Sequence, residues 1–154
     1  MMQHARAVLL AACLVLLASA VYGQSNEVID DILRQRELTY AGASYLVLTA
    51  TGRVADDVAP QQAVRELEAV GWGIAQRGPS DAVTLGDYAY LLMQAFEFRG
   101  GLMYRIAPGP RYAAREIAAL RIAEGHALVG MRLSGERALR LLGRAMAYAE
   151  GERL

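Results

Sequence analysis

The chain has 154 residues, 55% of them hydrophobic and 21% charged, and its sixteen basic and sixteen acidic side chains cancel. One cysteine and two histidines exclude a disulfide framework and a metal site built from clustered Cys and His ligands. The charge is unevenly spread. Residues 24–98 hold five arginines against eleven acids, a net of −6, and residues 99–154 hold ten arginines against five acids, a net of +5. Such asymmetry suits head-to-tail self-association or docking of the basic half on an anionic partner, and an ordinary dipolar surface is the plainer alternative. All sixteen basic residues are arginine, a bias that GC-rich coding is enough to produce and that is not read as ligand chemistry.

The first residues have the pattern of a secretory signal. His4 and Arg6 give a positive start, Ala7 to Leu17 form an apolar run, and Ala18, Ser19 and Ala20 supply the small-x-small pattern of a cleavage site. Such an apolar run spans roughly 7–15 residues, against about 20 for a membrane span. Cleavage is expected after Ala20, with Gly23 as second choice. Leu10, Ala11, Ala12 and Cys13 also match a lipobox, but that reading leaves only Ala7 to Ala12 as apolar run. After cleavage the chain holds no cysteine, and His126 is its one histidine, a surface or packing residue.

Val28, Ile29, Ile32 and Leu33 predict a short leading helix capped by Asn26. A spacing of fifty residues then dominates the chain. Pro60, Ala63, Arg65, Glu66 and Leu67 return as Pro110, Ala113, Arg115, Glu116 and Ile117. Val83 and Thr84 return as Leu133 and Ser134, and Leu91, Leu92 and Ala95 as Leu141, Leu142 and Ala145. A half-copy, with Leu38, Thr39, Tyr45, Leu46, Val47 and Ala50, precedes both. Pro60 and Pro110 suit first helical positions, Thr84 with Asp87 forms a capping box, and Thr39 and Ser134 are caps without the box. Asp56 and Asp57 favour the positive end of the helix they precede.

Helices are therefore predicted near 26–36, 39–51, 60–76, 84–98, 110–124 and 134–149. The expected fold is all-α: tandem helix-pair repeats of about fifty residues with an N-terminal half-unit, after a cleaved signal peptide at 1–20. A segment at 21–38 leads into a repeat domain at 39–154, made of the half-unit 39–52, unit one 60–98 and unit two 110–149. Gly78, Pro79 and Ser80 break the chain inside unit one, and Gly100 and Gly101 end its second helix. Leu102 to Ile106 reads as an irregular connector whose Leu102, Met103 and Ile106 plug the core. Trp72, between two glycines, reads as core.

Val83-Thr84-Leu85-Gly86-Asp87-Tyr88-Ala89 and Leu133-Ser134-Gly135-Glu136-Arg137-Ala138 resemble the opening of the second helix in S-layer homology repeats. The resemblance covers roughly residues 60–149. It implies helix-pair units at the cell envelope that grip an anionic cell-wall polymer through an arginine following the threonine. Leu85 and Gly135 occupy that place here; Arg137 stands two positions on as its candidate replacement, and Asp87 stands there in unit one. A third full unit, usual in that family, is missing. The stretch from Gly100 to Tyr112 is also similar to small exported helical proteins of spirochaetes.

No catalytic arrangement emerges. Nucleophilic catalysis needs a base beside a Ser, Thr or Cys, and the carboxylate pairs Asp30–Asp31 and Asp56–Asp57 are sequence neighbours whose side chains point apart. There is no phosphate-binding glycine loop, and the link at 77–83 is longer than the roughly 3–4-residue turn of a DNA-binding helix pair. The repeated Arg65–Glu66 and Arg115–Glu116 pairs read as structural ties between helices. Arginine forks with tyrosines suit a carboxylate, an anionic glycan or a protein hot spot, and Tyr104, Arg105, Arg111, Tyr112 and Arg115 gather at the Pro108-Gly109-Pro110 connector. With Arg137 they are the candidate binding residues.

The expectation is a non-catalytic envelope module without cofactor, metal, nucleic acid or membrane span. It would be periplasmic or otherwise envelope-associated and would bind another envelope protein or a cell-wall polymer. A structural subunit joining its acidic and basic halves is the first alternative; an enzyme is the second, and it would require a deep pocket holding Glu116, Glu124 or His126.

Overall fold

The structure is a computed structural model that describes residues 27–125 and 128–151. The signal segment at 1–20, Cys13, the Asn26 cap and His126 lie outside the described residues. The fold is all-α, with seven helices and no strand among the described residues: α1 (27–34), α2 (Tyr40–Ala50), α3 (Pro60–Ala69), α4 (Leu85–Ala95), α5 (Leu102–Ile106), α6 (Pro110–Ala119) and α7 (Gly135–Ala149).

Three helix N-termini meet at the centre. The Leu38 amide donates to the Leu133 carbonyl at 2.6 Å, Val83 to Leu38 at 2.9 Å, and Leu133 to Val83 at 3.3 Å, so the three residues close a ring. All three are fully buried. Each directly precedes a capping residue whose hydroxyl accepts an amide of the first turn: Thr39 from Gly42, Thr84 from Asp87, Ser134 from Arg137. The first amides of a helix have no partner within it. Here each helix borrows one from a neighbouring segment. Tyr40 donates to the Asp81 carbonyl at 2.7 Å, Leu85 to Met131 at 2.8 Å, and Gly135 to Gln35 at 3.0 Å.

From this ring α2, α4 and α7 run in mutual contact, while α3 lies along α2 and α6 along α4. Burial follows that arrangement. Every residue of α2 from Tyr40 to Leu48 is buried, as expected for a helix enclosed on all sides. The outer helices α3 and α6 bury one stripe each, Ala63, Val64 and Leu67 in the first and Ala113, Ala114 and Ile117 in the second. Each leucine-sized side chain in this core contributes about 1.5–3 kcal/mol. The extensive packing is thus between a central helix and the outer helix that follows it, rather than within the 60–98 and 110–149 segments.

Two expectations need correction. Helices α3 and α6 stop at Ala69 and Ala119, not near 76 and 124. Gly71 has φ of 78° and Arg121 has φ of 59°, left-handed conformations that end a helix. After α3 the Gly71 amide bonds the Glu68 carbonyl and the Trp72 amide bonds Leu67, the paired closing bonds of a Schellman turn. The apolar rhythm that runs on through Val70 and Ile74 belongs to the link, where the Ile74 amide donates to the Tyr40 hydroxyl at 3.0 Å. The second correction is α5. The expected irregular connector is a short helix, and it buries Tyr104 while Leu102, Met103 and Ile106 face outward. Trp72 is half-buried against the core edge, with the Arg53 guanidinium 4.4 Å from its ring centre.

Candidate functional site

Arg137, Arg140 and Arg144 fall at i, i+3 and i+7 on α7, a spacing that places them on one helix face. They line a groove of about 760 Å³ between α7 and the segment leading into it, with Glu124, Met131 and Leu139 among its walls. Arg144 fixes the far side. Its Nε donates to the Ile122 carbonyl at 3.0 Å, its guanidinium also reaches the Arg121 carbonyl, and it pairs with Glu124 at 2.7 Å. These bonds satisfy carbonyls at the left-handed turn after α6 and make Arg144 partly structural. Arg140 is the open cation: its side chain is 67% exposed, with Glu136 at 3.3 Å along the helix. Arg137 lies at the mouth, donating to the Glu124 carbonyl at 3.5 Å and contacting the Met131 sulfur at 3.4 Å.

The positions matched by the fifty-residue offset carry different chemistry. Asp87 stands where α7 has Arg137, Tyr90 where it has Arg140, and Gln94 where it has Arg144. In α4, Gln94 donates to the Tyr104 hydroxyl at 3.2 Å, so that face holds α5 in place. In α2 Tyr45, which matches Tyr90 of α4, donates to the Asp56 carbonyl at 2.8 Å and holds the segment ahead of α3. At the matching positions α7 carries arginines that line a groove, of which Arg144 also ties neighbouring chain as Gln94 does. Their i, i+3, i+7 spacing was visible in the sequence; what hid the site was which face of α7 is left as a groove wall.

The residues singled out from sequence are spread over three helices. Tyr104 is buried, so it serves as an anchor rather than a binding rim. Arg105 on α5 and Arg111 and Arg115 on α6 are exposed, Tyr112 is half-buried against the core, and Arg137 belongs to the α7 groove. Among the described residues neither Arg65–Glu66 nor Arg115–Glu116 forms an ion pair; the closest charged tie to a helix start is Arg77 to Asp87 at 2.7 Å. A second, smaller hollow of about 320 Å³ is acidic, lined by Glu27, Asp31, Asp56 and Asp57.

The perturbed ionisations are tyrosines. Burial pushes the Tyr104 hydroxyl up to about 12, with Tyr90 and Glu116 adding to the shift and the Gln94 bond opposing it. Burial also raises Tyr40, Tyr45 and Tyr88. None of these groups lines the α7 groove. Among the described residues no cluster of three His, Cys, Asp or Glu side chains could hold a metal ion, and no helix is long and apolar enough to cross a membrane. Comparison with protein-family models, curated proteins and solved structures finds no match.

Proposed function

We propose that this is a non-catalytic cell-envelope module, exported by a cleaved N-terminal signal, whose α7 groove binds an anionic partner: a cell-wall polymer or an acidic segment of another envelope protein. The observation carrying this reading is Arg137. The third residue of a helix lies at its positive end, where a carboxylate is stabilising and a cation is not. Asp87 obeys that rule in α4, and α7 instead places an arginine there beside Arg140 and Arg144. Planar guanidinium forks suit carboxylate and phosphate oxygens.

The same reading treats the chain as helix-pair repeats: α2 as the leading half-unit, α3–α4 and α6–α7 as the two full units, arranged around the Leu38–Val83–Leu133 ring. Support comes from the equivalent caps, the equivalent amide bonds of Tyr40, Leu85 and Gly135, and matching prolines at the starts of α3 and α6. The likeness to S-layer homology repeats then concerns architecture more than its threonine-arginine grip. The residue after each cap, Tyr40, Leu85 or Gly135, is buried and offers nothing to a ligand.

The test is retention of the protein on peptidoglycan sacculi with attached polymers, and separately on immobilised envelope proteins, each at low and high salt. Retention that is lost in an Arg137→Gln/Arg140→Gln variant and at high salt supports the groove. Equal retention of the variant, or none by the parent, overturns it. A second reading, head-to-tail self-association, is favoured by the acidic hollow of Glu27, Asp31, Asp56 and Asp57, whose charge complements the groove. It requires salt-sensitive oligomers in sedimentation without any added partner.

A further inference from the structure

The apolar tip formed by α5 has no role in the α7 groove. Leu102, Met103 and Ile106 are 65%, 55% and 69% exposed, an unusual concentration of bare apolar side chains on five residues. Tyr104 explains their direction. It is buried, its hydroxyl accepts a hydrogen bond from Gln94, and its ring lies where a Cβ on Gly100 would be 2.7 Å away. Gly100, with φ of 59°, turns the chain into this position. Successive helical residues are about 100° apart. With Tyr104 pinned inward, Leu102 and Ile106 point away from the core, flanked by Met103 on one side and Arg105 on the other. The tip is fixed by its anchor, so little ordering cost attends its burial against something else.

The charge around the tip identifies the surface it fits. Arg99, Arg105 and Arg111 precede, interrupt and follow the apolar residues; all are exposed, and none is in an ion pair among the described residues. The acids nearby are Glu97, which is exposed, and Glu116, which is half-buried with its carboxylate 2.9 Å from where a Gly101 Cβ would stand. An exposed apolar cluster with exposed cations before, within and after it in the chain matches a bilayer interface, where apolar side chains enter the acyl boundary and arginines meet anionic headgroups.

We propose that α5 is a monotopic docking element that inserts Leu102, Met103 and Ile106 into the surface of an anionic phospholipid bilayer. The full-length protein is sedimented with vesicles of phosphatidylcholine alone and of phosphatidylcholine mixed with phosphatidylglycerol. Binding is expected on the anionic vesicles and to weaken with salt. A Leu102→Ser/Met103→Ser/Ile106→Ser variant should bind about tenfold less, from the apolar area it removes. An Arg99→Gln/Arg105→Gln/Arg111→Gln variant should lose the preference for phosphatidylglycerol. The single change Ile106→Asn, at a residue 69% exposed, should leave thermal unfolding unchanged and weaken binding about threefold. The proposal is overturned by absence of vesicle binding, by equal binding to both compositions, or by full binding of the serine and asparagine variants. Capture of an envelope protein through α5 without any vesicle binding overturns it too.

Discussion

Helices α4 and α7 start in the same way and differ at their third residue. Both follow a buried aliphatic residue in the central ring, and both are capped by a hydroxyl. In α4 the third residue is Asp87, only 4% exposed, whose carboxylate accepts from the Thr84 amide at 2.9 Å, the Thr84 hydroxyl at 2.8 Å and Arg77 at 2.7 Å. Helix dipole, cap and ion pair all agree there. In α7 the third residue is Arg137, a cation at the positive end of a helix dipole. One helix start is closed by its own carboxylate; the other has Glu136 as the acid of its first turn and places Arg137 in the wall of a groove. Local departures from the rules of folding are where function is expected.

The two starts differ in tolerance as well. A Cβ on Gly135 would collide with the carbonyl oxygen of Ile32, which is backbone and cannot rotate away. A Cβ on Gly86 would meet the Val129 side chain at 2.7 Å and carbonyls at 3.1 Å. Overpacking of this kind costs roughly 1–3 kcal/mol. Gly135→Ala should therefore cost about 3 kcal/mol in urea unfolding and Gly86→Ala about 1 kcal/mol. Equal costs would mean that the α1–α7 junction can shift. Between these two falls Asp87→Ala, which removes a cap partner and leaves Arg77 without its carboxylate; a loss of about 2 kcal/mol is expected.

Alkaline pH probes the same division. The tyrosines with raised ionisation, Tyr40, Tyr45, Tyr88 and Tyr104, sit on α2, α4 and α5, and none is on α7. Each favours the neutral hydroxyl in the folded state. Their contribution is fully present below the unfolded tyrosine value near 10 and is lost as pH rises, for Tyr104 through about 12. The urea midpoint should fall between pH 10 and 12, and Tyr104→Phe should flatten that fall. A smaller effect is expected from Tyr88→Phe. The Tyr88 hydroxyl is buried with no hydrogen-bond partner among the described residues, so its removal should leave stability unchanged or raise it by up to about 1 kcal/mol.

What the sequence disclosed follows from range. Thr39, Thr84 and Ser134 were legible as caps because a hydroxyl before an apolar stripe acts within four residues. Pro60 and Pro110 marked helix starts for an equally local reason. The ends of α3 and α6 were not legible, since Val70 and Ile74 continue a helical rhythm across a turn that only the left-handed Gly71 closes. A five-residue helix such as α5 is too short to show a period, and its orientation depends on Tyr104 meeting Gln94, ten residues away. Arg140 and Arg144 escaped notice because their spacing is that of any charged helix face. Their role depends on the groove between α7 and the segment before it.

The finest test exchanges the chemistry of the two helix starts. Arg137→Glu completes with Ser134 the capping box that Thr84 and Asp87 already form, and it replaces a cation at the positive helix end by an anion. Arg137 would give up its contacts, those with the Glu124 carbonyl and the Met131 sulfur among them. A net gain of about 0.5 kcal/mol in urea unfolding is expected. Retention on sacculi or on acidic envelope proteins should fall at least as far as in Arg137→Gln/Arg140→Gln, because the groove gains a negative charge as well as losing a positive one. A variant that is both more stable and unable to bind would show that Arg137 opposes folding in the service of the groove. If stability rises while retention is unchanged, Arg137 does not act in binding, and the partner must then be sought away from α7.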